Sequence, residues 1–170
     1  VGQDPLTDLA VLQLDLSQRA PGLPPLTVAP FGDSASLTAG QEVFALGSPG
    51  FLSQSVTRGD VSNPSLVLPE QTVGRMILRG EDVGMFVRWI LHDARIFGGN
   101  SGGPLLNAAG EVIGINSQID TGGSNSGGNV GIGFAVPIDT AKRILPTISR
   151  GRRVERGWLG VSSQTVDSSL

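Results

Sequence analysis

The sequence has no cysteine, one histidine and only 16% charged residues in a chain of 170. Without cysteine it can form neither a disulfide framework nor a thiolate metal site, and cysteine usage says nothing about its compartment. No apolar run approaches the roughly 20 residues that a membrane-spanning helix needs, and no charged-then-apolar signal segment opens the chain. One histidine and scattered carboxylates do not make a metal site, so we expect neither a metal nor a cofactor.

The charge balance argues against two classes of partner. The net charge is −3 and the isoelectric point is near 5.0, whereas nucleic acids and anionic membranes are bound by a concentrated basic face. The small basic cluster at Arg150, Arg152, Arg153 and Arg156 is interpreted as a solvated linker. We therefore expect no nucleic-acid partner.

Glycine and proline are abundant, with 25 and 11 residues, and 39% of the chain is hydrophobic. This composition predicts a turn-rich globular protein with one sizeable core. The chain starts at Val1 without an initiator methionine, and we expect it to begin inside a larger protein.

Short apolar segments separated by Gly, Pro, Asn and Ser predict a β-rich fold. The turn "NAAGE" predicts a hairpin within the segment that begins at Pro104. Many short strands separated by such turn residues indicate an all-β barrel or sandwich. The predicted strand segments are 8–15, 41–50, 54–63, 84–93, 104–117 and 129–138.

One helix is predicted in "PIDTAKRILPTISRG", with Asp139 as its N-cap and Gly151 as its stop. One apolar face is expected to carry Ala141, Ile144, Leu145 and Ile148. Pro146 should kink or shorten this helix.

The tetrapeptide Asn-Ser-Gly-Gly occurs twice, at residues 100–103 and 125–128, so context decides which serine is a candidate nucleophile. Ser101 is followed by Pro104 and two leucines, which can anchor a tight turn against a core strand, whereas Ser126 lies in a Gly/Ser/Asn loop. A nucleophile needs fixed geometry. Ser101 is therefore favoured, and Ser126 is interpreted as linker.

The glycines beside Ser101 suit acyl transfer. Glycine adopts the dihedrals that turn backbone N–H groups toward a developing oxyanion, and Gly99 and Ser101 supply the natural pair of donors. The same window also fits an ordinary glycine-rich turn.

Six segments follow one another along most of the chain: "DPLTDLAVLQLD", "FGDSASLTAGQEVFALGSPG", "SVTRGDVS", "GGNSGGPLLNAAGEVIGINS", "GIGFAVPIDTAKRIL" and "RGWLGV". In this order they resemble the trypsin-like serine proteases of the HtrA (Deg) family. This resemblance implies an all-β, trypsin-like double β-barrel: the complete second barrel, the last part of the first, and one C-terminal helix.

The resemblance implies that Ser101 is the catalytic serine and Asp8 the aspartate that orients a histidine base. In the family that histidine lies upstream of the aspartate segment, and this chain does not contain it. His92 stands where the family usually has a threonine; we interpret it as a partly exposed strand histidine, and Asp93 as a structural carboxylate. The isolated chain is expected to be inactive.

Substrate contacts are also implied by the resemblance. The main chain of Ser117, Gln118 and Ile119 should pair with an extended peptide as an added strand. Phe97 and Gly98 depart from the family pattern beside the primary specificity pocket, and Phe97 is expected to narrow or cover that pocket.

The resemblance divides the chain into three parts: 1–27, the end of a first β-barrel with its connector; 28–149, the second barrel with its closing helix; and 150–170, a linker and the start of a PDZ-like domain. It implies a quality-control endopeptidase that acts on unfolded or extended polypeptides. The full-length protein is expected to form a homo-oligomer built from trimers and to lie in the periplasm or cell envelope. A pseudoprotease or chaperone-like peptide-binding module is the alternative. A purely structural barrel is disfavoured, because it gives no reason for the oxyanion-type turn.

Overall fold

The computed structural model describes residues 1–49, 54–67, 77–78, 81–119 and 131–157. Two short 3-10 helices, Pro5–Thr7 and Leu16–Gln18, accompany the regular elements. The regular elements are β1 (Gly2–Asp4), β2 (Leu9–Val11), β3 (Glu42–Gly47), β4 (Ser55–Leu66), β5 (Ile77–Leu78), β6 (Glu81–Asp82), β7 (Trp89–His92), β8 (Pro104–Asn107), β9 (Val112–Ile119), β10 (Gly133–Pro137) and α1 (Ile138–Ile148).

Six strands close into an antiparallel barrel in the order β10-β7-β4-β3-β8-β9. Alternate side chains of these strands fill its interior, where Val43, Ile90, Leu105 and Ile113 are fully buried. The β8–β9 turn is the predicted hairpin, closed by a hydrogen bond from Gly110 N–H to Asn107 O of 3.0 Å. This barrel, with the one α-helix found in the described residues, confirms the predicted fold.

The strand predicted over residues 8–15 is shorter than expected. It pairs with β1 over only three residues and ends at Val11. Beyond that point Leu12 and Leu14 are 84% and 70% exposed, whereas Leu9 is buried. Leu9 joins Trp89 and the helix in a second core outside the barrel.

The helix α1 starts at Ile138 with Pro137 at the N-cap position, two residues before the predicted N-cap, so Asp139 lies inside its first turn. Instead the Asp139 carboxylate accepts hydrogen bonds from Ser34 N–H (2.8 Å), Ser34 Oγ (2.7 Å), Ala35 N–H and Lys142. The bond from Lys142, with those from Ser34 and Ala35, outweighs burial and holds the pKa of Asp139 well below its usual range. Asp139 therefore fastens the helix to the segment that precedes β3.

The buried face of α1 carries Ile144 and Ile148 as predicted, together with Ile138. Pro146 lies in the last turn, and the helix ends two residues later, which agrees with the predicted shortening. In the part of the chain that the structure describes, no helix has the length and apolarity to cross a bilayer.

Arg156 corrects the interpretation of the basic cluster as solvated linker. Its guanidinium forms a two-point ion pair with Asp4, with Nη1 2.9 Å from Oδ1, and it stacks 5.3 Å above the Phe86 ring. Asp4 is only 5% exposed and also accepts a hydrogen bond from Thr7 Oγ1. Burial raises the pKa of Asp4, but the bonds from Arg156 and Thr7 outweigh it and keep that pKa below its ordinary value.

Candidate active site

A tight turn between β7 and β8 presents Ser101. We call residues 97–103 the Ser101 turn. Asn100 N–H donates to Phe97 O across 3.0 Å, and the third residue of this four-residue turn, Gly99, has φ +109°. A positive φ at that position is the mark of a type II turn, which requires glycine.

The turn is braced on one side by the end of β3. Ser48 N–H donates to Gly99 O across 3.1 Å. A Cβ atom at Gly99 would lie 2.4 Å from Ser48 O, so the two segments touch through backbone alone. This close approach is a second reason for glycine, and the sequence did not reveal it.

On its other side the turn is hydrogen-bonded to β9 through a single residue, Asn116. Asn116 O accepts from Gly102 N–H (2.8 Å), and Asn116 N–H donates to Gly103 O (2.9 Å). The Asn116 side chain donates through Nδ2 to Pro104 O (3.1 Å) and is 1% exposed. The residues on both sides of Ser101 are therefore held in place.

Ser101 is exposed, and its Oγ donates to Ser117 O across 2.6 Å. Two backbone N–H groups, of Gly99 and Ser101, donate to no carbonyl of the described residues. The turn therefore offers the pair of donors that the sequence predicted, next to a hydroxyl at the surface.

Asp8 lies 109 residues from Ser117 in sequence, and its carboxylate Oδ2 accepts a hydrogen bond from Ser117 Oγ. The backbone of Asp8 is left-handed, with φ 56°, and its N–H closes the preceding 3-10 turn on Pro5 O at 2.9 Å. Aspartate is one of the few residues that enter this region at moderate cost. Ser117 thus connects Asp8, through its hydroxyl, with Ser101, through its carbonyl.

Ser117 was predicted for its main chain alone. The register places Ala135 opposite Asn116 and Phe134 opposite Gln118, so Ser117 is the extra residue of a β-bulge. Bulges change the direction of a side chain, and here the hydroxyl points at Asp8. A single sequence carries no signal for this bulge.

The segment predicted to pair with a peptide, residues 117–119, has one edge on β10, where Gln118 lies opposite Phe134 and Ile119 opposite Gly133. On its other edge, β8 pairs with β9 only as far as Pro104 opposite Ile115. Asn116 still bonds there to Gly102 and Gly103 of the Ser101 turn, and beyond it no described strand pairs with that edge. It has the form of a site for an added strand.

Phe97 is the first residue of the Ser101 turn and is 41% exposed, and Gly98 beside it is also exposed. The structure places both at the surface. The predicted effect of Phe97 on a specificity pocket stays a prediction.

His92 is fully buried, at 0% exposed, so the interpretation as a partly exposed histidine is wrong. The cause is its place in the barrel, where it lies opposite Val61 on β4 and Gly133 on β10. Burial lowers the pKa of His92 from 6.5 to about 4, against smaller opposing effects of Asp93 and Asn116. Nothing in the described contacts connects its ring with Ser101.

Asp93 has a structural contact: its Oδ1 accepts a hydrogen bond from Asp60 N–H at 2.6 Å. The described residues contain no group of three or more His, Asp or Glu side chains that could hold a metal ion. Ser126 and its loop, residues 121–129, and the predicted PDZ-like start at 158–170 lie outside the described residues.

The profile of the family described as "Trypsin-like peptidase domain" matches residues 1–115, which is more than half of the chain. The chain belongs to the trypsin-like peptidase family. This agrees with the barrel, and the relatives below confirm the resemblance to the HtrA/Deg group.

The curated relatives are similar along the whole chain. It is 45% identical over 170 residues to a probable periplasmic serine endoprotease DegP-like of Halomonas elongata, and covers 100% of its own length but 31% of that protein. It is 42% identical to a probable periplasmic serine endoprotease DegP-like of Pseudomonas putida, again over 100% of this chain and 31% of that protein. The chain thus spans about a third of the length of these relatives.

Solved trypsin-like peptidases of HtrA type have the same fold. The HtrA-type protease AlgW, solved with a decapeptide, matches at a TM-score of 0.76 and 36% identity, over 99% of this chain and 45% of the other. A structure of AlgW with a tripeptide matches at a TM-score of 0.68 and 37% identity, over 86% and 42%.

Proposed function

We propose that this chain is part of a serine-type endopeptidase of HtrA type, in which Ser101 attacks the peptide carbonyl. The observation that supports this most is the hydrogen-bonded set Ser101, Ser117 and Asp8, beside the backbone N–H groups of Gly99 and Ser101, which donate to no carbonyl of the described residues. Acyl transfer needs a nucleophile beside an oxyanion site and a carboxylate to orient the base.

The base comes from outside these 170 residues. The only histidine of the chain is His92, which is fully buried and has no described hydrogen bond to Ser101. A histidine between Asp8 and Ser101 would take the proton of Ser101 Oγ and pass it to the leaving amine, while Asp8 holds its tautomer. The isolated chain is then inactive for want of a base.

The substrate is an extended polypeptide. Its main chain adds to the free edge of residues 117–119, opposite β10. Support comes from AlgW, which has been solved with a decapeptide and with a tripeptide. By likeness to the DegP-like relatives, which are described as periplasmic, we place the whole protein outside the cytoplasm.

The domain arrangement is part of the same proposal. Residues 1–27 complete a first barrel, residues 28–149 form the second, and residues 150–170 lead into a PDZ-like domain. The whole protein forms homo-oligomers.

A fluorophosphonate probe tests the proposal, because it reacts only with an activated serine. The probe is applied to the 170-residue chain and to a fusion that places the upstream protease segment of the Halomonas elongata relative before Val1. We expect the fusion alone to be labelled, Ser101→Ala to abolish labelling, and Asp8→Asn to slow it by on the order of 10⁴-fold.

Ser126→Ala is the matched control, because it alters the second Asn-Ser-Gly-Gly and should leave labelling unchanged. Labelling of the chain alone that His92→Gln abolishes would show that His92 is the base after all. A folded fusion that is never labelled would favour a pseudoprotease that only binds peptides.

A further inference from the structure

His92 lies in a buried polar site next to Asn116, the residue of β9 that supports the Ser101 turn. Its ring lies against the backbone of β10, since a Cβ atom at Gly133 would come 2.7 Å from His92 Cε1. Only glycine leaves room for the ring at that position. The ring has no access to solvent, because His92 is 0% exposed.

Three polar atoms at this site lack partners. They are the two ring nitrogens of His92 and the side-chain oxygen Oδ1 of Asn116, none of which forms a hydrogen bond with a described residue. The Asn116 side chain is close enough to the ring to influence its pKa. Asn116 is also the residue that binds Gly102, Gly103 and Pro104, so the ring contacts the support of the Ser101 turn.

The groups around the ring are almost all uncharged. Val61 faces it from β4, Gly133 from β10 and Asn116 from β9. Among the described residues the one charged group that acts on it is Asp93, which is exposed and held by Asp60 N–H. An imidazolium here would carry a charge away from solvent, with only two uncharged acceptors, the Asn116 side chain and the Ala94 backbone, beside its N–H groups.

We propose that His92 is an acid-sensitive element beneath the Ser101 turn: a proton from solvent adds to its ring, separates β7 from β10, and releases Asn116 from the turn. The link to regulation rests on the proposed function of Ser101. The structural change itself does not.

The direction of the pH effect follows from the burial of the ring. The pKa of His92 is lowered to about 4 in the folded chain, against 6.5 when it is unfolded. The unfolded chain therefore binds more protons between these values. The contribution of His92 to stability is complete above pH 6.5 and declines as the pH falls toward 4, by about tenfold in the folding equilibrium per pH unit.

A titration of the unmodified chain tests this directly. His92 is the only histidine, so the proton on its Cε1 gives a single imidazole signal in the NMR spectrum. We expect it to stay at the neutral position down to about pH 5 and to shift only as the barrel opens. A reversible titration near 6.5 in the folded chain would overturn the proposal.

Amide exchange then tests the connection with the turn. Between pH 6.5 and 4.5, the protection factors of the Gly102 and Asn116 amides, which form the two backbone hydrogen bonds between β9 and the turn, should fall by about a hundredfold in the wild type. They should stay constant within about threefold in His92→Gln, whose side chain cannot be charged. His92→Thr serves the same purpose if the glutamine variant does not fold.

A tryptophan readout follows the barrel in parallel. In a Trp158→Phe background Trp89 is the only tryptophan, three residues before His92 and in edge contact with Phe134. Its acid transition should move down by at least about one pH unit in His92→Gln. Asp93→Asn is the matched control: it should lower stability but keep the pH dependence between 4 and 6.5.

Each outcome decides the proposal. An unchanged pH slope in His92→Gln would assign the acid transition to carboxylates and refute it. A Trp89 transition without loss of Gly102 protection would refute the link to the Ser101 turn. None of these measurements uses proteolysis, so they hold or fail independently of the role proposed for Ser101.

Discussion

Replacing Gly99 by alanine is expected to slow fluorophosphonate labelling of Ser101 by about a hundredfold or more in the fusion protein. The free energy of unfolding of the 170-residue chain should fall by about 3 kcal/mol. The first effect depends on the proposed function. The second depends only on the fold and is measured by urea denaturation.

Two properties of Gly99 produce this result. Its φ of +109° is one that residues with a side chain rarely adopt, and its added Cβ would lie 2.4 Å from Ser48 O. Relief of that contact moves the Gly99 N–H, and a displacement of about 1 Å at a catalytic group costs on the order of a hundredfold in rate. The hydrogen bond from Ser48 N–H to Gly99 O, which links the end of β3 to the Ser101 turn, is lost at the same time.

Two neighbouring glycines are matched controls. Gly98 has no positive φ and Gly102 has φ +83°, and an added Cβ would meet no atom within 4 Å at either. Gly98→Ala should change stability by less than about 0.5 kcal/mol, and Gly102→Ala should cost about 1 to 2 kcal/mol through backbone strain alone. If Gly99→Ala matches Gly102→Ala in both readouts, the contact with Ser48 does not matter.

Arg156→Ala should lower the free energy of unfolding by about 3 to 5 kcal/mol, because it leaves the Asp4 carboxylate buried without its counter-charge. Asp4 is 5% exposed, and Thr7 is its other polar partner among the described contacts. The loss is a large part of the about 5 to 15 kcal/mol that stabilises a typical domain. Urea denaturation at pH 7 measures it.

The pair Arg58 and Glu42 is the matched control, since its side chains are 73% and 35% exposed. Arg58→Ala should cost less than about 1 kcal/mol, as exposed ion pairs do. The double variant Asp4→Asn with Arg156→Gln removes both charges and should be more stable than Arg156→Ala. Equal losses for Arg156→Ala and Arg58→Ala would show that the buried pair contributes little.

Local patterns in the chain were enough to predict the barrel and the helix. Short apolar segments between Gly and Pro predicted the barrel strands, and the spacing of Ile144 and Ile148 predicted the buried face of α1; the structure confirms both. These features depend on residues close together in sequence, so the periodicity of apolar residues and the positions of turn residues predict them. The choice of Ser101 over Ser126 rests on the same kind of local context and stays a prediction.

Contacts between distant residues followed from the tertiary structure alone. Ser117 reaches Asp8 across 109 residues, Asp139 reaches Ser34 across 105, and Arg156 reaches Asp4 across 152. No spacing rule connects such positions, so Asp139 was predicted as a cap and Arg156 as solvated linker. The burial of His92 has the same cause: whether a strand residue faces the interior depends on the neighbours that the barrel brings to it.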